Sequence, residues 1–193
     1  VYKRQGYSSG LEQAVANGSV GPATLEHWLG DMLDHGPGYA DALVIHAAAG
    51  SDDTAHVDAT ARAFCASRER LVETDALGAA FCAQISSTWG IDARGLTYPT
   101  ALGVGVRALD LPATLAVALY LQAWVANLVA CAQRLMPLGQ TDAQRIVAAL
   151  TPAATRIATR TASETLDALT SQCIAADIAT MRHETQSPRI FRT

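Results

Sequence analysis

The sequence has few charged residues and few cysteines, and each shortage argues against certain classes of protein. Asp, Glu, Lys and Arg make up 17% of the 193 residues, and the formal net charge is −4. A weakly charged, acidic chain argues against a general nucleic-acid binder. The four cysteines stand singly at apolar positions of predicted helices: Cys65, Cys82, Cys131 and Cys173. This spacing indicates reduced thiols in a cytoplasmic protein rather than a disulfide framework.

Motifs for catalysis and metal binding are missing as well. The sequence contains neither the phosphate-binding loop G-x-x-x-x-G-K-[ST] nor the serine hydrolase signature G-x-S-x-G. It also lacks the Glu-x-x-His pairs of metal-oxidising bundles, and its histidines stand apart from cysteine and from one another. We therefore predict no catalytic residue, no metal ligand and no stably bound cofactor.

No alternating apolar run is long enough for a β-strand. Apolar residues recur instead at helical spacing between Gly, Pro and Asn breakers, which predicts a single-domain all-α bundle of roughly 8–10 helices. Two capping boxes predict helix starts, Thr141 with Gln144 and Thr161 with Glu164. Glycines 103 and 105 within a predicted helix indicate that another backbone packs closely there.

The longest stretch without charge covers residues 111–133 and is apolar on every face of a helix. Such a helix is either a membrane span or the buried axis of a bundle. Gln122, Asn127 and the many alanines of this stretch favour the second interpretation. We therefore predict a central buried helix at about residues 113–136, with the other helices packed around it.

The two ends of the chain differ from the rest. Residues 1–5 match the translation of a transposase mosaic end used in sequencing libraries, so we interpret them as a non-native leader before a domain at 6–193. Residues 177–193 change abruptly from an apolar stripe to dense polar groups, with arginines beside Ile190 and Phe191. Because interfaces favour this mixture, we predict a C-terminal interaction tail at 177–193.

Five segments together resemble the UreF family of urease accessory proteins. They follow the family's order: Y-S-S-G-L-E at 7–12, Y-P-T-A-L-G-V-G-V at 98–106, A-W-V-A-N-L-V at 123–129, P-L-G-Q-T-D-A-Q-R at 137–145 and D-I-A-T-M-R-H-E-T-Q-x-x-R-I-F-R-T at 177–193. Each is moderately specific, and five in order are strongly so. Ser187 and Pro188 depart from the family, which has Tyr and Ser there.

The resemblance implies an all-α, non-enzymatic chaperone for nickel delivery to urease. Proteins of this family bind UreD (also called UreH) and the GTPase UreG, commonly dimerise, and dock on apo-urease. Nickel is then handled by the assembled complex, and GTP is bound by the partner GTPase. Neither a nucleic acid nor a membrane is among the implied partners.

The resemblance also carries a partner-binding role onto two segments. In the family the C-terminal segment becomes ordered in the complex and helps to recruit UreG. The corresponding residues are Arg182, His183, Glu184, Gln186, Arg189, Phe191 and Arg192. A second candidate patch is the turn made by Gly139, Gln140, Thr141 and Asp142. We further expect Arg189 to anchor the tail, against the hydroxyl of Tyr7.

Two other classes remain open at the level of sequence. One is a helical-bundle enzyme, which a metal or cofactor retained on purification would support. The other is a stand-alone helical regulatory protein, which binding to partners outside the urease set would support. If the chain contributed a single nickel ligand, His183 is the residue we would name.

Overall fold

The structure is a computed structural model that describes residues 6–170 and 172–192. In those two ranges the chain forms nine α-helices, a 3-10 turn at Leu166–Ala168 and no β-strand. The helices are α1 (Leu11–Ala16), α2 (Leu25–His35), α3 (Pro37–Gly50), α4 (Thr54–Ala63), α5 (Arg68–Trp89), α6 (Tyr98–Ala108), α7 (Ala113–Leu135), α8 (Gln140–Thr161) and α9 (Ile174–His183). The predicted all-α fold is confirmed, and the leader interpreted at residues 1–5 lies outside the described ranges.

The axis of the bundle is α3. It packs against α2, α4, α6, α7 and α8, and most of its residues are buried. Its polar side chains do not interrupt this burial because each has a partner inside the protein. Asp41 accepts hydrogen bonds from Arg70 and Tyr120. His46 places Nε2 3.0 Å from the carbonyl oxygen of Ala158.

The long apolar helix α7 is present as predicted, but it is not the buried axis. Its inner face, with Leu121 and Leu128, packs into the main core. Its outer face is open, and Leu115 and Leu119 are 55% and 61% exposed. Among the described residues α7 is the helix long and apolar enough to cross a membrane, by length and composition alone. The prediction that α7 is buried on every face is wrong, because a helix face without charged residues can still be exposed to solvent.

A close helix crossing joins α3 to α6 at Gly103. A Cβ atom there would lie 2.5 Å from the carbonyl oxygen of Ile45 and 2.6 Å from the Cβ of Ala48. The predicted close approach of a second backbone is therefore confirmed at Gly103. It is wrong at Gly105, where a Cβ atom would meet ring atoms of Phe81 at an ordinary 3.7 Å.

Both predicted capping boxes are wrong. Helix α8 begins at Gln140 after the extended Gly139, so Thr141 already lies in the first turn and no side chain caps that end. Thr161 is the last residue of α8, and its hydroxyl donates to the carbonyl oxygen of Ile157 at 2.9 Å. A threonine inside a helix commonly returns its hydroxyl to the preceding turn in this way. The last helix starts later, at Ile174.

A buried carboxylate on α4 holds the loop that precedes α6. Asp58 Oδ1 accepts from the backbone N–H of Thr97 at 2.7 Å and from its hydroxyl at 2.8 Å. Asp58 Oδ2 accepts from Nε of Arg62 at 2.6 Å. Burial alone would raise the pKa of Asp58, but these hydrogen bonds and the Arg62 charge outweigh it and lower the pKa below its ordinary value.

Asp58→Asn should therefore remove a pH-dependent contribution to stability. A depressed folded-state pKa stabilises the protein above the unfolded-state pKa, and this contribution is lost as the pH falls through the folded-state value. We expect the variant to lose about 2 kcal/mol of unfolding free energy at neutral pH. Urea unfolding between about pH 3 and 7 measures this, and equal slopes for variant and unchanged protein below about pH 4 would contradict it.

Candidate functional site: the docked C-terminal tail

The tail is positioned by α9, which packs against α1 and α5. The approach of α1 depends on Gly10, which has a left-handed φ of 79°. A Cβ atom at Gly10 would lie 2.7 Å from the backbone nitrogen of Thr180, so only glycine lets the two helices meet this closely. As a result His183, the last residue of α9, is completely buried at 0% exposure.

The carboxylate of Glu12 on α1 holds the main chain of the tail. Its Oε1 accepts from the N–H of Ile190 at 2.6 Å, and its Oε2 accepts from the N–H of Phe191 at 2.8 Å. Oε2 also lies 3.2 Å from Nε2 of His183. Glu12 is only 4% exposed, and such charge-assisted hydrogen bonds are strong when water is excluded. One side chain therefore fixes the path of residues 183–191.

A second carboxylate, Glu69 on α5, completes the cluster. Its Oε2 lies 2.7 Å from Nδ1 of His183, and its Oε1 accepts from Arg189 at 2.7 Å. Each ring nitrogen of His183 therefore lies within hydrogen-bond distance of a carboxylate oxygen. Two carboxylates thus flank the imidazole, and one of them also binds the guanidinium of Arg189. We call these four residues, Glu12, Glu69, His183 and Arg189, the tail cluster.

An apolar contact sits beside the tail cluster. Phe191 is 3% exposed, and the guanidinium carbon of Arg134 on α7 lies 4.7 Å from the centroid of its ring. The N–H of Arg192 donates to the carbonyl oxygen of Gly6 at 3.2 Å. The chain before α1 is itself attached to α7, since Asn127 donates to the carbonyl oxygen of Tyr7 at 3.2 Å. The tail, the chain before α1 and α7 therefore form one continuous layer.

Most of the predicted tail residues come together here. His183 and Arg189 belong to the tail cluster, and Phe191 packs beside it. Glu184 accepts from the backbone N–H of Arg68 at 2.9 Å, which ties the tail to the start of α5. The predicted contact of Arg189 with the Tyr7 hydroxyl is wrong, because that guanidinium donates to the partly buried carboxylate of Glu69 instead.

Arg182 and the turn at residues 139–142 make other contacts. Arg182 is exposed on another side of α9, where it lines a shallow cavity of about 240 Å³ next to Trp28. The turn at residues 139–142 makes its side-chain contacts locally. Gln140 accepts from Gln133 at 2.9 Å, and Asp142 accepts from Arg145 at 2.8 Å. These contacts join the turn to α7 and α8 rather than to the four residues of the tail cluster.

Three residues of the site escape prediction from the sequence. Glu12, Glu69 and Arg134 all make contacts to the tail, yet none belongs to a motif with chemistry of its own. Glu12 is, however, the last residue of the segment Y-S-S-G-L-E at 7–12, which carries part of the family resemblance. The resemblance was therefore the one signal in the sequence that pointed to Glu12. For Glu69 and Arg134 no local signal exists.

The arrangement favours holding a peptide segment over binding a metal ion. Across residues 6–170 and 172–192, no group of three or more His, Cys, Asp or Glu side chains could hold a metal ion. Both ring nitrogens of His183 already lie within hydrogen-bond distance of carboxylates, so this residue could bind nickel only by giving up one of those contacts. The naming of His183 as a nickel ligand therefore has no support in the geometry.

Fold and site together define an all-α protein whose main polar assembly holds its own C-terminal tail in place. The family model of UreF matches residues 20–151. A urease accessory protein UreF of Roseobacter denitrificans is 43% identical over 190 residues, covering 97% of this chain and 86% of that protein. One of Ruegeria pomeroyi is 45% identical over 191 residues, covering 97% and 88%. One of Rhodopseudomonas palustris is 41% identical over 203 residues, covering 97% and 84%. The chain belongs to the UreF family, which confirms the resemblance.

Proposed function

We propose that this chain is a cytoplasmic, non-catalytic chaperone of urease maturation that bridges UreD (UreH) and the GTPase UreG on apo-urease. Nickel is the cargo of the assembly, and GTP is bound by UreG. The family membership supports the role in urease maturation. The docked tail is the observation that supports the bridging role. Its contacts hold a defined protein surface in place, and that surface contains no catalytic group. We also propose that the chain works as a homodimer.

The outward side of the tail has the composition of a protein-binding surface. Ile190 is 58% exposed although its own N–H is held by Glu12. Next to it lies a shallow cavity of about 280 Å³, lined by Arg68, Glu69, Val72, Glu184, Arg189 and Arg192. Arginine forks beside exposed aliphatic groups are typical of interface cores. Because the tail cluster fixes this surface beforehand, a partner would pay little ordering entropy on binding.

Arg189→Ala should weaken capture of UreG about thirtyfold or more while leaving helix content unchanged. The substitution removes the guanidinium held by Glu69 but leaves α9 and the contacts of His183 with Glu12 and Glu69 in place. The measurement is size-exclusion chromatography with light scattering on this chain with cognate UreD, then with UreG, nickel and GTP. A truncation after Gln186, which keeps all of α9, should lose UreG in the same way.

The matched control is Arg94→Ala. Arg94 is also an arginine paired with one carboxylate, Asp92, but it is exposed and distant in sequence from the tail. Capture of UreG that persists in the Arg189 variant would contradict the assigned surface. A folded chain that binds neither UreD nor UreG would contradict the bridging role itself.

A further inference from the structure

The buried ring of His183 lies between two carboxylates, and its two contacts fix how many hydrogens this group of side chains holds. Nδ1 lies 2.7 Å from Oε2 of Glu69, and Nε2 lies 3.2 Å from Oε2 of Glu12. An ionised carboxylate has acceptors only, so each contact is a hydrogen bond only if the ring nitrogen carries a hydrogen. A neutral imidazole carries one such hydrogen. Two hydrogen bonds therefore need one hydrogen more than the neutral ring brings.

We propose that docking of the tail takes up one proton, which His183 binds between Glu12 and Glu69, so that docking weakens as the pH rises. The proton binds to the ring because other donors already favour the charged form of both carboxylates. Glu12 accepts from two backbone N–H groups of the tail, at 2.6 and 2.8 Å. Glu69 accepts from Arg189 at 2.7 Å. The three acidic and basic groups therefore titrate as one unit when the tail is docked.

The charged groups around the ring come from each element packed against it. Helix α1 contributes Glu12, α5 contributes Glu69, and the tail contributes Arg189, which donates to Glu69. One turn further along α5, Glu73 lies 3.5 Å from Arg70. The ring itself is 0% exposed. Since water cannot stabilise a positive charge there, the two carboxylates that face the ring must do so.

The sign of the pH dependence follows from the fate of this proton when the tail is released. Release opens the end of α9 and returns His183 to water, where a histidine loses its proton near about pH 6.5. Between that pH and the range near about pH 4, where free carboxylates take up protons, docking is at full strength. Above about pH 6.5 the docked state holds one proton more than the released state, so the docking constant falls by up to about tenfold per pH unit. If the tail recruits UreG as proposed, recruitment weakens over the same range.

The first measurement is the rate of tryptic cleavage after Arg182 in the full chain, between about pH 6.5 and 8.5. The bond between Arg182 and His183 lies at the end of α9, so it enters the protease only when that end opens and His183 leaves the tail cluster. Each rate is divided by that of a synthetic peptide of residues 178–188, which removes the pH dependence of trypsin itself. The ratio should rise with pH by up to about tenfold per pH unit.

Glu69→Gln is expected to abolish this rise. The carboxamide can accept from Arg189 and donate to Nδ1 of a neutral His183 ring, so docking no longer needs the second hydrogen. The matched control is Glu184→Gln, the same change at another glutamate that holds the tail. Glu184 accepts from the backbone N–H of Arg68 at 2.9 Å instead of facing the ring. The control should keep the rise when it is compared with a peptide that carries the same substitution.

Nitrogen NMR of the unchanged chain, with isotope-labelled histidine, tests the proton directly even if a variant fails to fold. At about pH 7.5, above the ordinary histidine value, both ring nitrogens of His183 should carry hydrogen. His46 is the matched reference, because burial lowers its pKa and its Nε2 lies 3.0 Å from a single acceptor, the carbonyl oxygen of Ala158. The ring of His46 should be neutral at the same pH. A truncation after Arg182 assigns the His183 signals by their absence.

Three outcomes would each overturn the inference: a cleavage ratio that does not change with pH, an equal rise in Glu69→Gln and Glu184→Gln, or a neutral His183 ring at about pH 7.5. Capture of UreG at the two ends of the pH range tests the proposed function separately. Capture that does not follow the measured docking would count against the tail as the surface for UreG and leave the proton uptake standing. Docking independent of pH, with capture that still needs the tail, would overturn the proton uptake alone.

Discussion

Glu12→Gln is expected to release the tail and to speed tryptic cleavage between Arg189 and Ile190 about a hundredfold. In the docked state the Glu12 carboxylate accepts from the N–H groups of Ile190 and Phe191 and faces the His183 ring. The carboxamide keeps the size of the side chain but replaces one acceptor by a donor. It also removes the negative charge that faces the buried His183 ring. Docking should lose about 3 kcal/mol, enough to populate the open tail.

The release should be local. The core beneath α2, α3 and α8 is formed by apolar side chains that do not involve Glu12. Helix content should therefore stay unchanged while the tail opens, as expected when stability varies across a structure. The observable is the rate of cleavage after Arg189 at a fixed trypsin concentration, followed by mass spectrometry.

The matched control is Glu26→Gln. Glu26 lies in the first turn of α2, as Glu12 lies in the first turn of α1, but Glu26 is exposed to solvent. Its substitution makes the same chemical change at the same position of a helix without touching the tail. Equal cleavage rates in the two variants would show that Glu12 does not hold the tail.

Gly103→Ala should destabilise the whole fold, whereas Gly105→Ala should not. A methyl group at Gly103 meets the carbonyl oxygen of Ile45 at 2.5 Å, and backbone on a packed helix cannot move aside cheaply. We expect a loss of about 3 kcal/mol, which lowers the Tm by about 10 °C. At Gly105 the nearest atoms are at 3.7 Å, so alanine should gain up to about 1 kcal/mol of helix propensity.

The two glycines form their own control because they lie two residues apart on α6. Urea unfolding of both variants, followed by circular dichroism, gives the two free energies, and an unchanged m-value keeps them comparable. A Gly103 variant as stable as the Gly105 variant would mean that α3 and α6 can separate freely. The close crossing would then have no structural importance.

The positions of the helices could be predicted from the sequence more accurately than which of their faces are buried. The absence of charge at residues 111–133 predicted a helix correctly but not its exposed side, because alanine is compatible with both burial and solvent. The buried axis is α3, which is shorter than α7 and carries Asp41 and His46. Their partners Arg70 and Ala158 lie far away along the chain, so a local pattern holds no trace of them.

The site was predictable only in part for the same reason. The unusual composition of residues 177–193 pointed to the tail, but the partner expected for Arg189 was the Tyr7 hydroxyl. The carboxylates that hold the tail depend instead on how α1, α5 and α9 meet. Glu12 and Glu69 lie 171 and 114 positions before His183 in the sequence, and both converge on its ring. Such convergence is a property of the fold, and no spacing rule within one segment contains it.

The tail cluster joins segments that lie far apart along the chain, and this has a consequence for biosynthesis. Glu12 and the Ile190 amide that it binds are separated by 178 positions in the sequence. Since a chain folds from its N-terminus as it is translated, the Glu12 carboxylate meets these partners only after the residues between them have been made. A product that terminates before the tail never closes this contact. If the tail recruits UreG as proposed, such a product does not enter urease assembly, and synthesis of the tail acts as the checkpoint.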